Sequence, residues 1–231
     1  MEKPVYHHSK RTFFLRWGIF LLGLMVMSLG IALMIRAELG GAPWDVLHLG
    51  LSFQLGLTVG TWSIIMGVVI LLLTTMLTKS LPQIGAFINM LFVGLFIDVF
   101  MWLISTPSYV FFQYIMLGLG IIIIGYGIGI YIAPRCGAGP RDSLMLALQE
   151  KTGWKVQYVR GLMEIIVLTF GWLLGGTVFI GTLLFCFGIG SVVGITLPQC
   201  QRVFDYIIER GNKDEDINKG TLRPYHHDGV S

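Results

Sequence analysis

A short element that contains glycine, proline and aspartate occurs twice in the chain. The first copy is Gly40-Gly41-Ala42-Pro43-Trp44-Asp45, and the second is Gly137-Ala138-Gly139-Pro140-Arg141-Asp142. Each copy follows a long apolar segment, and aligning Leu22–Leu47 with Leu119–Leu144 extends the match. The residues of the first copy that are identical in the second are Leu22, Gly23, Gly30, Ile31, Ile35, Gly40, Pro43, Asp45 and Leu47. We therefore interpret the chain as a duplication with a helix break in each copy.

Composition places the duplicated unit in a membrane. The 231 residues are 55% hydrophobic and 13% charged, and the mean hydropathy is +0.76, whereas soluble domains carry about 25% charged residues. At ~20 residues per span, about six transmembrane helices fit, and no second folded domain does. The predicted apolar segments are 13–35, 58–77, 83–104, 110–133, 156–175 and 178–197.

Three of these segments fall in each copy, and an odd number of spans inverts the second copy in the membrane relative to the first. We predict an all-α integral membrane protein with two inverted three-helix repeats and a short broken helix after the first span of each. The predicted divisions are an N-terminal segment 1–12, repeat one 13–105, repeat two 109–198 and a polar tail 199–231.

The positions of the basic residues test this topology independently. Cytoplasmic flanks of spans collect Lys and Arg, while translocated short loops do not. Of the 16 basic residues, Arg36 alone falls on the outer side of the predicted topology. We therefore expect a bacterial inner-membrane protein with both termini in the cytoplasm, and this distribution removes the reading of the net charge of +3 as a nucleic-acid signal.

The tail that follows Pro198 is predicted to begin with a short helix on the membrane face, because apolar residues recur there at helical spacing. These residues are Val203, Phe204, Ile207 and Ile208. Disorder is expected beyond Gly211, since residues 212–231 have almost no apolar content. Unpaired cysteines and tail histidine pairs without a third ligand predict no disulfide, metal or other cofactor.

The repeated element is the first candidate for function. Proline suits the first turn of a helix, and an acidic residue two positions later favours its positive end, so short helices should begin at Pro43 and Pro140. The glycines before them allow turns that other residues disfavour. The candidate pathway residues from this element are Gly40, Gly41, Pro43, Asp45, Gly137, Gly139, Pro140 and Asp142. The alternative is that these residues only cap helices at the membrane interface.

Charged residues within or beside spans are the second candidate. Glu164 is the deepest charge and can pair with Arg160 four residues earlier, so it has either a structural role or a role in proton coupling. Arg36, Glu38 and Asp98 lie on the outer side. Because Asp98 should lie level with Arg36, we expect these two residues to form an ion pair.

The pattern that begins Gly30-Ile-Ala-Leu and continues through Ala37–Asp45 to Gly56-Leu-Thr-Val-Gly-Thr-Trp62 resembles the bacterial YczE/YyaS/YitT-like membrane proteins. Gly137–Asp142 resembles their second copy. The similarity extends to about Pro198, and the short tail places the chain nearer the YczE-like branch. The resemblance implies a multi-pass bacterial inner-membrane protein, and it transfers no functional residues.

Two functions follow from these features. A small-solute secondary transporter or exporter explains inverted repeats, paired broken helices and buried charge. A non-transporting membrane scaffold or assembly helper explains charges that pair locally and a cytoplasmic interfacial helix. An enzyme is not expected, since the spans contain no nucleophile and base in a catalytic pattern. The expected partners are the lipid bilayer and a small-molecule solute, without nucleic acid, and a homo-oligomer is left open.

Overall fold

The computed structural model describes residues 10–218, and no strand occurs among them. The helices are α1 (Lys10–Arg36), α2 (Pro43–Leu55), α3 (Val59–Thr78), α4 (Ile84–Leu103), α5 (Val110–Ile132), α6 (Pro140–Thr152), α7 (Val156–Leu173) and α8 (Ile180–Asn218). The predicted all-α class is confirmed for this part of the chain.

Five of the helices are long and apolar enough to cross a membrane, namely α1, α3, α4, α5 and α8. They correspond to five of the six predicted spans. The sixth predicted span, 156–175, forms α7, which is 18 residues long and carries Arg160 and Glu164. A helix of this length extends about 27 Å, slightly less than the ~30 Å hydrocarbon core of a bilayer. Five of the six predicted spans are therefore helices that could cross a membrane.

Helices α1 and α5 form the central pair and approach each other closely through glycines. A β-carbon at Gly30 would lie 2.7 Å from the backbone nitrogen of Ile124 and 2.8 Å from the carbonyl oxygen of Gly120. Larger side chains at these positions would push the two backbones apart. Small residues serve this purpose in membrane helices, where association depends on close packing.

The remaining helices pack around this pair. Helix α4 contacts α1, and α8 contacts α5. The short helix α2 packs against α7, while the short helix α6 packs against α3. The main core lies between α1, α4 and α5, where Phe20, Leu24, Met34, Ile97 and Leu117 are almost completely buried. This packing places the starts of α2 and α6 close to the central pair.

Large apolar side chains remain exposed around the outside of the bundle. Trp102, Phe111 and Phe187 are 84%, 70% and 82% exposed. A water-soluble protein rarely exposes a continuous apolar surface of this kind, because contact with water is unfavourable. Surrounding lipid removes that cost.

The short helix predicted to follow Pro198 is not separate from the last predicted span, because α8 continues through this proline as one helix. Proline removes one helical hydrogen bond and often ends a helix, but tertiary packing supports both sides of it here. Phe204 and Ile208 are each 3% exposed and pack with Ala133 and the start of α1. The apolar face expected to lie on the membrane thus packs partly against the protein.

Helix α8 ends at Asn218, so the backbone is helical where the sequence predicts the start of disorder at residue 212. The rest of the predicted disordered tail, 219–231, lies outside the described residues, as do the histidine pairs His7-His8 and His226-His227.

Candidate functional site

The loops that precede α2 and α6 have closely similar backbone conformations. Glu38 and Arg135 adopt left-handed conformations with φ of 56° and 55°, and Gly40 and Gly137 follow with φ of 99° and 143°. Left-handed backbone is unfavourable for residues other than glycine, so the shared geometry requires the glycine of each copy. The loop then enters a helix whose first turn contains proline in both copies, as the sequence predicts.

The first turns of α2 and α6 line one cavity of about 150 Å³, which we call the central cavity. Side chains from α1, α3, α4, α5, α7 and α8 complete its wall. The sequence-predicted site residues that lie here are Pro43, Asp45, Gly139, Pro140, Asp142, Arg160 and Glu164. Residues from both copies therefore meet at a single place.

Other predicted residues line a second, larger cavity of about 500 Å³, the Arg36 cavity. Arg36, Glu38, Gly40 and Gly41 lie in its wall. Among the described residues that line the two cavities, Asp45 is common to both. Asp45 therefore contributes to the walls of both cavities.

The prediction of an ion pair between Arg36 and Asp98 is wrong, because each side chain binds elsewhere. Asp98 accepts hydrogen bonds from the Thr58 hydroxyl and, at 2.8 Å, from the backbone N–H of Gly60 at the start of α3. Arg36 donates to the carbonyl oxygen of Met101. Counting helix rise gives the depth of a residue but not the direction of its side chain, and Asp98 is directed towards α3.

Gly137 is the predicted pathway glycine that belongs to neither cavity wall. A β-carbon there would lie 3.0 Å from the α-carbon of Gly85. The residue thus allows the loop before α6 to pass close to the start of α4, and its role is in packing.

In the central cavity, Asp45 and Arg141 form an ion pair between the two copies. The Arg141 Nη2 and Asp45 Oδ1 atoms are 4.0 Å apart, and the side chains are 36% and 1% exposed. The Arg141 guanidinium carbon also lies 4.9 Å from the centroid of the Trp44 ring, which is a cation–π distance. The guanidinium group is therefore placed beside a carboxylate and over an aromatic face.

The Asp45 carboxylate nevertheless has unused hydrogen-bonding capacity. In the described part of the chain, neither of its oxygens has a hydrogen-bond partner, although both are buried. The same is true of Nδ1 of His48, one turn further along α2 and also in the cavity wall. Unpartnered buried polar atoms are rare and costly, so these three atoms mark the part of the cavity suited to a ligand.

The other two acids of the central cavity, unlike Asp45, have hydrogen-bond partners. The Tyr131 hydroxyl donates to Oδ2 of Asp142 at 3.1 Å. Arg160 Nε donates to Oε1 of Glu164 at 3.1 Å, with the two residues four apart on α7. This second pair was predicted from its spacing. Asp45 is therefore chemically distinct from the other acids around it.

The family model described as "Family of unknown function (DUF6198)" matches residues 14–198. The chain belongs to this family. It is 41% identical over 202 residues to the uncharacterized membrane protein YczE of Bacillus subtilis, covering 87% of this chain and 94% of that protein. It is 31% identical over 187 residues to the uncharacterized protein YyaS of the same organism, covering 79% and 92% of the two chains.

An uncharacterized protein of Haemophilus influenzae is 33% identical over 176 residues, which cover 76% of this chain and 80% of the relative. No solved structure shows significant similarity to the chain. Family membership confirms the resemblance found in the sequence, and with the exposed apolar helices it establishes a membrane protein.

Trp44, Tyr131 and Arg141 line the central cavity but were not among the candidate site residues chosen from the sequence. One of them carries a usable signal. Arg141 stands where the first copy has Trp44, and a basic residue that breaks a repeat beside a shared proline and aspartate is a candidate for function. No comparable signal identifies Tyr131, because it lies within an apolar span and only the packing of α5 brings it to Asp142.

Proposed function

We propose that the protein is a multi-pass bacterial inner-membrane transporter or exporter of a small solute, without enzymatic activity, whose site lies between two inverted repeats. The observation that carries the proposal is that the repeated helix starts, with Asp45 from one copy and Asp142 from the other, line the same cavity. Transporters with inverted repeats bind their substrates at such positions, where broken helices of the two repeats meet.

Helix packing supports the inverted repeat. If α1 to α4 correspond to α5 to α8, the contact of α2 with α7 has its counterpart in that of α6 with α3, and the contact of α1 with α4 in that of α5 with α8. The central pair α1 and α5 is related to itself. A two-fold axis between the halves would produce these matched contacts, since it exchanges each helix with its equivalent. The contact of α3 with α4 departs from this symmetry, because α7 and α8 make no comparable contact.

The proposal takes α7 as the sixth span. Six spans place both termini on one side, and the distribution of basic residues makes that side the cytoplasm. Cysteines introduced at Ser52 in α2 and Lys151 in α6 should therefore react with a membrane-impermeant reagent from opposite sides. The background is a variant without Cys136, Cys186 and Cys200. In intact cells, labelling at Ser52 with protection at Lys151 is expected, and the reverse pattern would disprove the topology.

The two cavities support a pathway for a small solute. A cavity of about 150 Å³ is the size of one that binds benzene in an engineered protein core. The larger Arg36 cavity lies on the outer side in this topology, and Asp45 belongs to the walls of both cavities. In the proposed pathway, a solute passes between the two cavities at Asp45.

The test is solute uptake by proteoliposomes for a panel of monovalent ions, small amines, guanidinium, amino acids and carboxylates. At least one solute should enter faster than in protein-free liposomes. Asp45→Asn should lower that uptake about tenfold or more, since ~1.4 kcal/mol of lost binding is a factor of ten. Glu150→Gln, at an exposed position of α6, is the matched control for charge loss and should leave uptake unchanged.

Thermal unfolding in detergent is measured for the same variants, which separates transport from stability. A variant whose uptake falls while its melting temperature is unchanged supports the transporter proposal. If no solute of the panel enters, or if uptake falls only in proportion to the melting temperature, the transporter proposal is rejected.

A membrane scaffold or assembly helper is the second candidate, and the length of α8 favours it. Its 39 residues extend about 58 Å, well beyond the ~30 Å hydrocarbon core. In its C-terminal half, Val203 and Tyr206 are 59% and 62% exposed, and they could provide apolar contacts to a partner. Under this function, the double variant Val203→Ser/Tyr206→Ser would fail to complement a strain that lacks the gene, whereas Asp45→Asn would still complement it.

A further inference from the structure

We propose that the central cavity binds a small planar organic cation of the guanidinium class on Asp45, and that the Arg141 side chain competes with it for this carboxylate. This inference rests on the proposed function for its physiological meaning, but the binding site stands on its own geometry. It assigns a chemical class to the solute and separate roles to Asp45 and Arg141.

The charge of the central cavity favours a cation. Its acidic side chains are Asp45, Asp142 and Glu164 and its basic side chains are Arg141 and Arg160, so the acids outnumber the basic groups by one. Asp142 accepts a hydrogen bond from the Tyr131 hydroxyl, and Glu164 accepts one from Arg160. Asp45 is paired with Arg141 at 4.0 Å but accepts no hydrogen bond, so its oxygens can still accept from a ligand, and a bound cation would balance the excess of acids.

The cavity atoms of Asp45 and His48 that lack hydrogen-bond partners favour a ligand that donates hydrogen bonds. Both oxygens of Asp45 are acceptors, and Nδ1 of His48 accepts when the proton of the ring is on Nε2. A ligand that satisfies three acceptors must bring several N–H or O–H donors. A guanidinium group carries a positive charge together with donors arranged in one plane.

An aromatic face lies close to the Asp45 carboxylate. Arg141 already places a guanidinium group 4.9 Å from the Trp44 ring centroid and 4.0 Å from Asp45 Oδ1. A planar cation can therefore lie near both the ring and the carboxylate. The Arg141 side chain is 36% exposed whereas that of Asp45 is 1% exposed, so the arginine is the less confined partner of the pair.

An anionic ligand fits less well, although two helix N-termini face the cavity. Each terminus has its own acid in the first turn, Asp45 in α2 and Asp142 in α6. These acids already interact with the positive ends of their helices. An anion would lie beside both carboxylates and would leave the acceptors of Asp45 and His48 without donors.

Size restricts the cation further. In about 150 Å³, a ligand of roughly six non-hydrogen atoms fits, as benzene does in an engineered cavity of this volume. Guanidinium and methylguanidinium satisfy this limit.

The experiment measures binding to the full chain in lipid nanodiscs by titration calorimetry at millimolar ligand. Guanidinium is compared with urea, its neutral counterpart of the same shape, and with acetate as the anion. Guanidinium should bind at least about tenfold more tightly than urea, because only the cation gains the interaction with Asp45 and Trp44. Acetate should not compete. Urea binding as tight as guanidinium binding, or acetate binding alone, would overturn the proposal.

Variants separate the two proposed roles. Asp45→Asn should weaken guanidinium binding more than about 30-fold, as expected for loss of one partner of a buried charged contact. Arg141→Gln should strengthen it, because removal of a competing group raises the fraction of protein that is competent to bind. Lys151→Gln is the matched control, since it removes a basic residue from an exposed position of the same helix.

Guanidinium binding that is lost in Arg141→Gln would show that Arg141 helps to bind the ligand and would overturn the competition. Should Asp45→Asn fail to fold, Trp44→Leu provides the second test and should weaken guanidinium binding but not urea binding. Binding without uptake in proteoliposomes would reject the transporter and leave the cation site standing. Uptake of another solute by a protein that does not bind guanidinium would reject the cation site alone.

Discussion

Asp45 and Asp142 stand at the same position of the repeated element, two residues after its proline, yet their surroundings differ. Asp45 is buried, contributes to the walls of both cavities and has no hydrogen bond. Asp142 is half-buried and accepts a hydrogen bond from the hydroxyl of Tyr131. Equivalent positions of the repeated element thus differ in chemistry. The Asp45 carboxylate is paired with Arg141 but has no hydrogen bond, whereas Asp142 is hydrogen-bonded within the protein.

The neighbouring residues explain how the difference arises. Arg141 replaces Trp44 in the second copy, and the guanidinium group lies over that same tryptophan. The pairing joins the two copies through unlike residues, and it requires the repeat to be imperfect. The asymmetry is therefore what allows a charged site to form where two identical elements would place like groups against each other.

The largest stability effect that tests this comparison concerns Asp142 and Tyr131. Asp142→Asn and Tyr131→Phe should each lower the free energy of unfolding by about 1 kcal/mol, the usual contribution of one hydrogen bond. Asp45→Asn should lower it by less, because its carboxylate has no hydrogen bond to lose and the cost of keeping it charged in a buried position offsets part of its ion pair with Arg141. Chemical unfolding in detergent, followed by circular dichroism, measures all three.

The double variant of Tyr131 and Asp142 supplies the control. Since both single changes remove the same hydrogen bond, their combined effect should be smaller than the sum. A loss in Asp45→Asn equal to that in Asp142→Asn would mean that both acids merely stabilise the first turn of their helices, and the distinction between the two copies would fail.

Local patterns in the sequence were sufficient for the helical architecture and for the two helix starts. Pro43 and Pro140 begin α2 and α6 as predicted, since proline and a following acid determine a helix start within a few residues. Long apolar runs likewise located five spans. These features depend on neighbours in the chain, which the sequence shows directly.

Features that depend on distant contacts could not be predicted in the same way. Pro198 lies inside α8 because Phe204 and Ile208 pack with Ala133 and α1. The Asp98 side chain is directed towards the start of α3 rather than towards Arg36. The depth of a residue in the membrane does not determine the direction of its side chain. The contact of Arg141 with Asp45 likewise required the fold that joins the two copies.

The smallest expected effect concerns Glu164, which lines the same cavity as Asp45 but has a partner. Its contact with Arg160 measures 3.1 Å, and the two side chains are 29% and 55% exposed. An exposed pair four residues apart contributes about 0.3–0.5 kcal/mol and is weakened by salt. Glu164→Gln should therefore cost no more than that amount in unfolding experiments, and the cost should decrease at high salt.

Transport decides between the two roles left open for Glu164. If Glu164 is only one member of a structural pair, Glu164→Gln should have a guanidinium affinity and an uptake close to those of the Glu150→Gln control. A role in proton coupling requires a different result, because uptake driven by an imposed pH gradient would then be lost in Glu164→Gln while exchange without a gradient persists. That outcome would place a second functional acid beside Asp45, and the cavity would no longer contain a single acid that acts on the solute.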